Sequence, residues 1–238
     1  MGTSLAQGTL SIVATPIGNL GDITFRALWN LKEADAIYAE DTRVTLKLLN
    51  HYGLRKSVFR LDAAGEGKKA GEIITRLQKG EHIAYMTDAG TPGISDPGAR
   101  LVASVRKESP DTKIDAIPGP SALTAALSIA GISADQFIFL GFLPHKKGRQ
   151  TAIKGIASSR IPIVLYESPH RILKLLAEIG KFAPNSRITI ARELTKIHEE
   201  VLIGDPFDLA KKLEDTKAVR GEFVVIIESI LKRSCFVE

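Results

Sequence analysis

Short apolar runs alternate with stretches of helical period along this chain, and that alternation predicts its elements. Leu10–Thr15, Ala34–Ala39, Val58–Leu61, Ile83–Met86 and Lys113–Ile117 read as strands. The helices between them end near Leu31, His51, Lys79-Gly80 and Arg106. Asp22 or Thr24 caps the first, Thr42 is the expected N-cap of the second, and Gly80 closes the third. Asp62–Ala70 is polar and glycine-rich, with no strand or helix period, and is expected to be mobile. A helix of small residues, Ala122–Ala130, opens at Ser121 and stops at Gly131. Strand-helix alternation of this kind predicts a mostly parallel sheet covered on both faces.

The second half repeats the alternation less regularly. Gln136–Gly141, Pro162–Tyr166, Arg187–Ala191, Glu199–Ile203 and Glu222–Glu228 read as strands. Asp205-Pro206 starts a helix as N-cap and first helical residue. Short crossovers are mixed here with hairpin-length links, so this sheet is predicted to be mixed. The fold class is therefore α/β in two domains, 1–120 and 121–238, with the boundary in the Pro118–Ser133 region.

The most informative stretch lies between a strand and a helix. Ala84–Pro97 begins as a buried strand and ends in Thr-Asp-Ala-Gly-Thr-Pro-Gly-Ile-Ser-Asp-Pro. Gly90, Pro92, Gly93 and Pro97 exclude both helix and central strand. The carboxyl end of a strand is where α/β sheets hold ligands. Glycines there let the backbone approach a ligand, and prolines fix the loop beforehand. A long surface loop is the plain alternative, but one dense in acids, glycines and prolines fits a binding role better. Three further junctions share the composition: Pro16–Asp22, Pro118–Ala122 and Tyr166–Arg171. All follow predicted strands, and together they would line one cleft for a polar ligand of moderate size.

Composition narrows the chemistry. The chain has 238 residues, 44% hydrophobic and 25% charged, an ordinary globular balance. Its single cysteine, Cys235, excludes an internal disulfide and a cysteine-based zinc site. No apolar run reaches the length of a membrane span, and no basic-then-apolar leader opens the chain, so a cytoplasmic location is expected. Net charge +5 permits a polyanionic partner. There is no P-loop, no G-x-G-x-x-G fingerprint and no G-x-S-x-G elbow. His51, His82, His145, His170 and His198 are scattered without metal-ligand spacing, and no metal is expected.

The strings ATPIGNLGDIT, AEDTR, DAGTPGISDPG, IPGPSA, GFLP, YESPHR and ARELTK occur in this order. They resemble ribosomal RNA small subunit methyltransferase I, a bacterial family in the tetrapyrrole-methylase superfamily. The resemblance runs from about Leu10 to Ile227. It implies S-adenosylmethionine as methyl donor, 2′-O-methylation of a cytidine in the decoding region of 16S ribosomal RNA, and a homodimer of two-domain subunits with the donor between the domains. On the matching strings, donor contacts fall to Pro16, Asp88, Gly90, Thr91, Ser121, Ala122, Glu167 and Ala191. The family usually carries a His and an Asn-Glu pair after the third strand; here the segment is Leu61-Asp62-Ala63-Ala64-Gly65-Glu66.

A ribose hydroxyl needs a proton acceptor to become a good nucleophile. Glu193 and Lys196 are the candidates, on a strand-end loop; a structural ion-pair network with Arg192 is the alternative. Lys146, Lys147 and Arg149 lie in a short basic, glycine-containing loop. With Arg43 they are candidate trackers of RNA phosphate, against the alternative of a solvated surface. Two competing functions remain open at this level: methylation of a tetrapyrrole or other small molecule, and non-catalytic RNA binding in ribosome assembly.

Overall fold

Two sheets, each with its own core, organise the chain in a computed structural model that describes residues 8–62, 65–216 and 219–228. Contacts divide the chain between Ser121 and Ala122 into two units.

The first unit alternates strand and helix: β1 (Thr9–Val13), α1 (Phe25–Glu33), β2 (Ala36–Ala39), α2 (Thr42–His51), β3 (Val58–Arg60), α3 (Glu66–Gln78), β4 (His82–Met86), α4 (Ala99–Glu108) and β5 (Lys113–Ile117). All its strand pairs are parallel, in the order β3-β2-β4-β1-β5. β2 and β4 are buried along nearly their whole length because both faces of the sheet are covered. Ile83 and Tyr85 of β4 pack with Ile73, Leu77, Leu101 and Val105 of α3 and α4. Ala84 and Met86 face the other way, onto Ala27, Leu31, Leu48 and Leu49 of α1 and α2. The period of two along one strand thus assigns the helices to opposite faces.

The second unit holds α5 (Ala122–Ile129), β6 (Ile138–Phe142), α6 (Arg149–Ala157), β7 (Ile163–Glu167), α7 (Ile172–Phe182), β8 (Ile188–Arg192), β9 (Glu200–Gly204), α8 (Pro206–Asp215) and β10 (Phe223–Ile227). Its sheet has the order β6-β7-β10-β8-β9. Only β6 and β7 pair in parallel; β10 runs antiparallel to both β7 and β8, and β9 antiparallel to β8. The α/β class, with a parallel sheet first and a mixed sheet second, is the one the sequence pattern predicts.

Local chemistry explains the helix starts, with two corrections. Thr24 accepts the Ala27 N–H at 3.0 Å, and Asp205 accepts the Phe207 and Asp208 N–H groups ahead of Pro206. The cap of α2 is Asp41, which accepts the Arg43 N–H at 2.8 Å, and Thr42 is already helical. α3 begins at Glu66, inside the stretch expected to be mobile. Asp62 supplies the missing signal, since its carboxylate accepts the Gly65 N–H at 2.9 Å. Ala63 and Ala64 lie outside the described residues.

Candidate functional site

In the first sheet every strand delivers its following loop to the same edge. β1 leads into α1 on one face and β4 leads into α4 on the other, although the two strands are hydrogen-bonded neighbours. Connections that part in this way leave a crevice at the strand ends, where open α/β sheets bind ligands. The loops after β1, β2, β4 and β5 meet there. Thr15 and Gly90 exchange two backbone bonds, of 2.9 and 3.1 Å. The Thr91 hydroxyl donates to the Pro120 carbonyl at 3.2 Å, and that of Thr15 to the Thr87 carbonyl at 3.2 Å. A Cβ on Gly119 would stand 3.0 Å from the Ala14 Cβ, so the loop after β5 is seated directly on the first. Pro16 and Gly90 are buried in this joint. Gly90 has φ +83°, a backbone state that disfavours any side chain.

The structure thus brings together Pro16, Asp88, Gly90, Thr91 and the start of the Pro120-Ser121 turn. It does not bring all four predicted junctions to one sheet end. Tyr166–Arg171 follows β7, a strand of the second sheet.

Between the ends of β2 and β4 two carboxylates cross. Asp88 Oδ1 accepts the Asp41 N–H at 3.0 Å, while the Glu40 carboxylate accepts the N–H of Asp88. Each acid therefore rests on the other strand's loop. Desolvation, then the negative charge of Asp88, raises the Glu40 pKa; Asp62 and Asp41 add to it. Desolvation likewise raises that of Asp88, helped by the Asp41 carboxylate and opposed by the Asp41 N–H and by Arg43. Arg43 spends its charge elsewhere: its guanidinium forks onto Asp41 at 2.6–3.2 Å, while its side chain stays 85% exposed. The crevice edge carries negative charge that wants a proton or a cation. Sequence reading missed Glu40 as a site residue. Its signal, an acid directly after a buried strand, gains meaning only once β2 and β4 are known to be neighbours.

In the second unit three of the predicted site residues, Glu167, Arg149 and Ala191, are buried. Glu167 is wholly buried at the end of β7, where its Oε1 accepts the Arg171 Nε–H at 2.6 Å and the Ser168 N–H at 2.9 Å. Arg149, expected among the RNA contacts, is a correction. Its side chain is 4% exposed, donates to Glu178 at 2.7 Å and lies 3.7 Å from Glu167. A guanidinium held inside by two carboxylates is not available to a phosphate. Lys146 and Lys147 of the same run are exposed. Ala191 is fully buried in β8, between β10 and β9.

Glu193 and Lys196 form an ion-pair network, with Glu222 as the third member rather than Arg192, which pairs with Glu200 at 3.2 Å. Lys196 Nζ donates to Glu193 at 2.8 Å and to Glu222 at 2.9 Å, and Glu193 also accepts the Glu222 N–H. Burial opposes the Lys196 charge, but its two carboxylate partners prevail and raise its pKa. Burial pushes the Glu193 pKa up, and Lys196 with the Glu222 N–H more than reverses it. Both shifts favour the ionic forms, which makes Lys196 a poorer source of free amine and Glu193 a weaker base. Glu193 is kept at φ +51°, with the glycine at 221 leaving room for its side chain. Among the described residues no group of acids, histidines or cysteines has the arrangement of a metal site.

Residues 9–210 match the family of tetrapyrrole (corrin/porphyrin) methylases. The chain is 42% identical over 221 residues to a protein of Thermotoga maritima named ribosomal RNA small subunit methyltransferase I, covering 93% of this chain and 98% of that one. A protein of the same name from Escherichia coli O157:H7 is 45% identical over 227 residues, covering 94% and 78%. Among solved structures, a diphthine synthase aligns with TM-score 0.69 at 17% identity, over 92% of this chain and 90% of that one. Cobalt precorrin-4 methyltransferase, an enzyme of cobalamin biosynthesis, aligns with TM-score 0.66 at 18% identity, over 93% and 94%. At such identities the structural likeness speaks for the fold.

Proposed function

The chain belongs to the ribosomal RNA small subunit methyltransferase I family, within the tetrapyrrole methylases, and we propose that it methylates the ribose 2′-oxygen of a cytidine in small-subunit ribosomal RNA, cytidine 1402. The observation that carries the donor side is the crevice at the ends of β1 and β4, edged by the unbalanced pair Glu40 and Asp88. A sulfonium nucleotide with an ammonium group fits an edge whose neighbouring cation, Arg43, is already forked onto Asp41. Bound there, S-adenosylmethionine supplies an electrophilic methyl group. Asp88 and Glu40 meet its positive charge, the backbone at Gly90 and Thr91 and at Ser121 and Ala122 meets its polar edges, and buried Pro16 sets the shape of the first loop. The chain's main contribution is then orientation: rigid loops hold the reacting groups in line and lower the entropic part of the barrier.

For the RNA side we infer phosphate contacts by Lys146, Lys147 and Arg43, whose side chains are exposed. Alanine at both lysines should weaken binding to small subunits and reduce the slope of log affinity against log salt by about 1–2, since each phosphate contact contributes close to one counterion. An unchanged slope removes them from the interface. We infer also that two copies associate. Phe25 and Trp29 stand one turn apart on α1, 92% and 63% exposed, and offer an apolar face for a second copy. Light scattering should read twice the chain mass, and Phe25→Glu with Trp29→Glu should halve it.

The deciding experiment incubates the protein with methyl-labelled donor and unmodified small subunits and maps the label. Label on the 2′-oxygen of one cytidine supports the proposal. Label on a base, or on an added porphyrin in preference to RNA, replaces it with a different methyl acceptor. Absence of donor binding by calorimetry ends it.

A further inference from the structure

Several anchors hold the loop after β4. Those in the crevice include the Thr15–Gly90 bridge, the Thr91–Pro120 bond and the Asp41 N–H on Asp88. Another comes from a residue in a different helix. Glu66, in the first turn of α3, is 3% exposed, and its Oε1 accepts the Gly98 N–H at 2.7 Å and the Leu101 N–H at 3.4 Å. Those groups are at the start of α4, where backbone N–H groups have no partner inside the helix. The residue at the N-cap is a glycine that caps nothing itself. It has to be glycine: φ is +125°, and a Cβ would stand 2.7 Å from the Tyr85 ring. Just before it the loop closes on itself through the Gly93 N–H and the Pro97 carbonyl. A buried carboxylate from another helix therefore supplies the cap, and its charge suits the positive end of α4.

The placement of Glu66 is itself fixed. Asp62 holds the Gly65 N–H and pairs with Arg60 of β3 at 2.8 Å. A path runs from the edge strand β3 through Asp62 and Glu66 to the end of the loop that contains Asp88, Gly90 and Thr91. We propose that Glu66 is a positioning residue for donor binding, which sets the loop after β4 in its binding form by anchoring Gly98 and Leu101. The inference rests on the donor reading given above. It assigns a task to a segment that looks like featureless polar chain.

The test measures S-adenosylmethionine binding by calorimetry, together with steady-state methylation, for wild type, Glu66→Ala and Glu66→Gln. Glu66→Ala should raise the donor Kd and KM about tenfold or more, because binding must then also order the loop. Its kcat at saturating donor should stay within about threefold of wild type, since no reacting atom is touched. Glu66→Gln keeps an acceptor oxygen at the same reach and should recover most of the affinity; it also serves if the alanine variant folds poorly. A lowered melting temperature with wild-type donor Kd in both variants overturns the proposal and leaves Glu66 a helix cap alone. Wild-type protein that does not bind the donor overturns both readings, whereas wild-type binding with unmoved variants overturns this one alone.

Discussion

Glu167→Ala should lower the melting temperature by about 10 °C or more while leaving donor affinity nearly unchanged. The carboxylate is the hub of a buried network: Arg171 donates to it directly, Arg149 lies 3.7 Å away, and Glu178 balances Arg149 from the far side. Removing one partner from such a set strands charge in the interior, which costs about 3–5 kcal/mol. For a chain of this length each kcal/mol moves the midpoint by roughly 2–4 °C. Glu167→Gln keeps an acceptor for the Arg171 and Ser168 N–H groups but loses the charge, and should fall between wild type and alanine. The double change Arg149→Met with Glu178→Met, apolar and of similar reach, should cost less than the single Glu167→Ala, because it removes charges on both sides of a pair. Thermal melts and donor titrations on the same samples decide between the two roles offered for this residue. A donor contact would show lost affinity at an unchanged midpoint, and that result would return Glu167 to the binding site.

The Glu167 and Arg149 pair shows where sequence reasoning stops. His145–Arg149 has the composition of an exposed basic loop, and two of its lysines behave that way. Gly148 adopts φ +84° and turns the chain, so that α6 starts with Arg149 facing inward to acids 18 and 29 residues further on. Nothing local announces those partners. The strands were legible because β2 and β4 are apolar on both faces, and the strand-end loops were legible because glycine and proline punctuate them. The sheet order β3-β2-β4-β1-β5 was not, since it is set by non-local pairing, and with it stayed hidden the meeting of Glu40 with Asp88. Glu66 was hidden for the same reason: its carboxylate is used 32 residues away. Asp41 in place of Thr42 at the helix cap is a smaller miss, where two adjacent residues were both good caps and the longer acid reached the N–H.

Asp88→Asn should weaken donor binding by about 10–100-fold and at the same time slightly stabilise the empty protein. The two effects share one cause. Desolvation raises the pKa of both Asp88 and Glu40 in the folded chain; the charge of Asp88 adds to the rise at Glu40, and that of Asp41 to the rise at Asp88. A carboxyl whose folded pKa lies above its unfolded value costs stability once it is ionised, and the cost disappears as pH falls through the folded pKa. When ionised, the two groups leave the empty crevice with a negative charge that Arg43 balances only in part, at Asp88. A cationic ligand removes it and adds charge-assisted bonds of about 1.5–3 kcal/mol each, which sets the expected loss of affinity in the neutral variant. Asparagine can still accept the Asp41 N–H, so the loop joint survives the change. The same reasoning gives a pH dependence with a fixed sign. Donor affinity in the wild type should fall as pH drops through the two carboxylate pKa values, each raised above that of the same group in the unfolded chain. In Asp88→Asn the remaining acid, Glu40, loses the charge that adds most to its raised pKa, so its limb should move to lower pH. Calorimetric titrations across the acid range on the two proteins read these limbs directly. Equal affinity of wild type and Asp88→Asn at all pH values would mean that the donor's positive charge lies elsewhere, and the assignment of the crevice edge would fall with it.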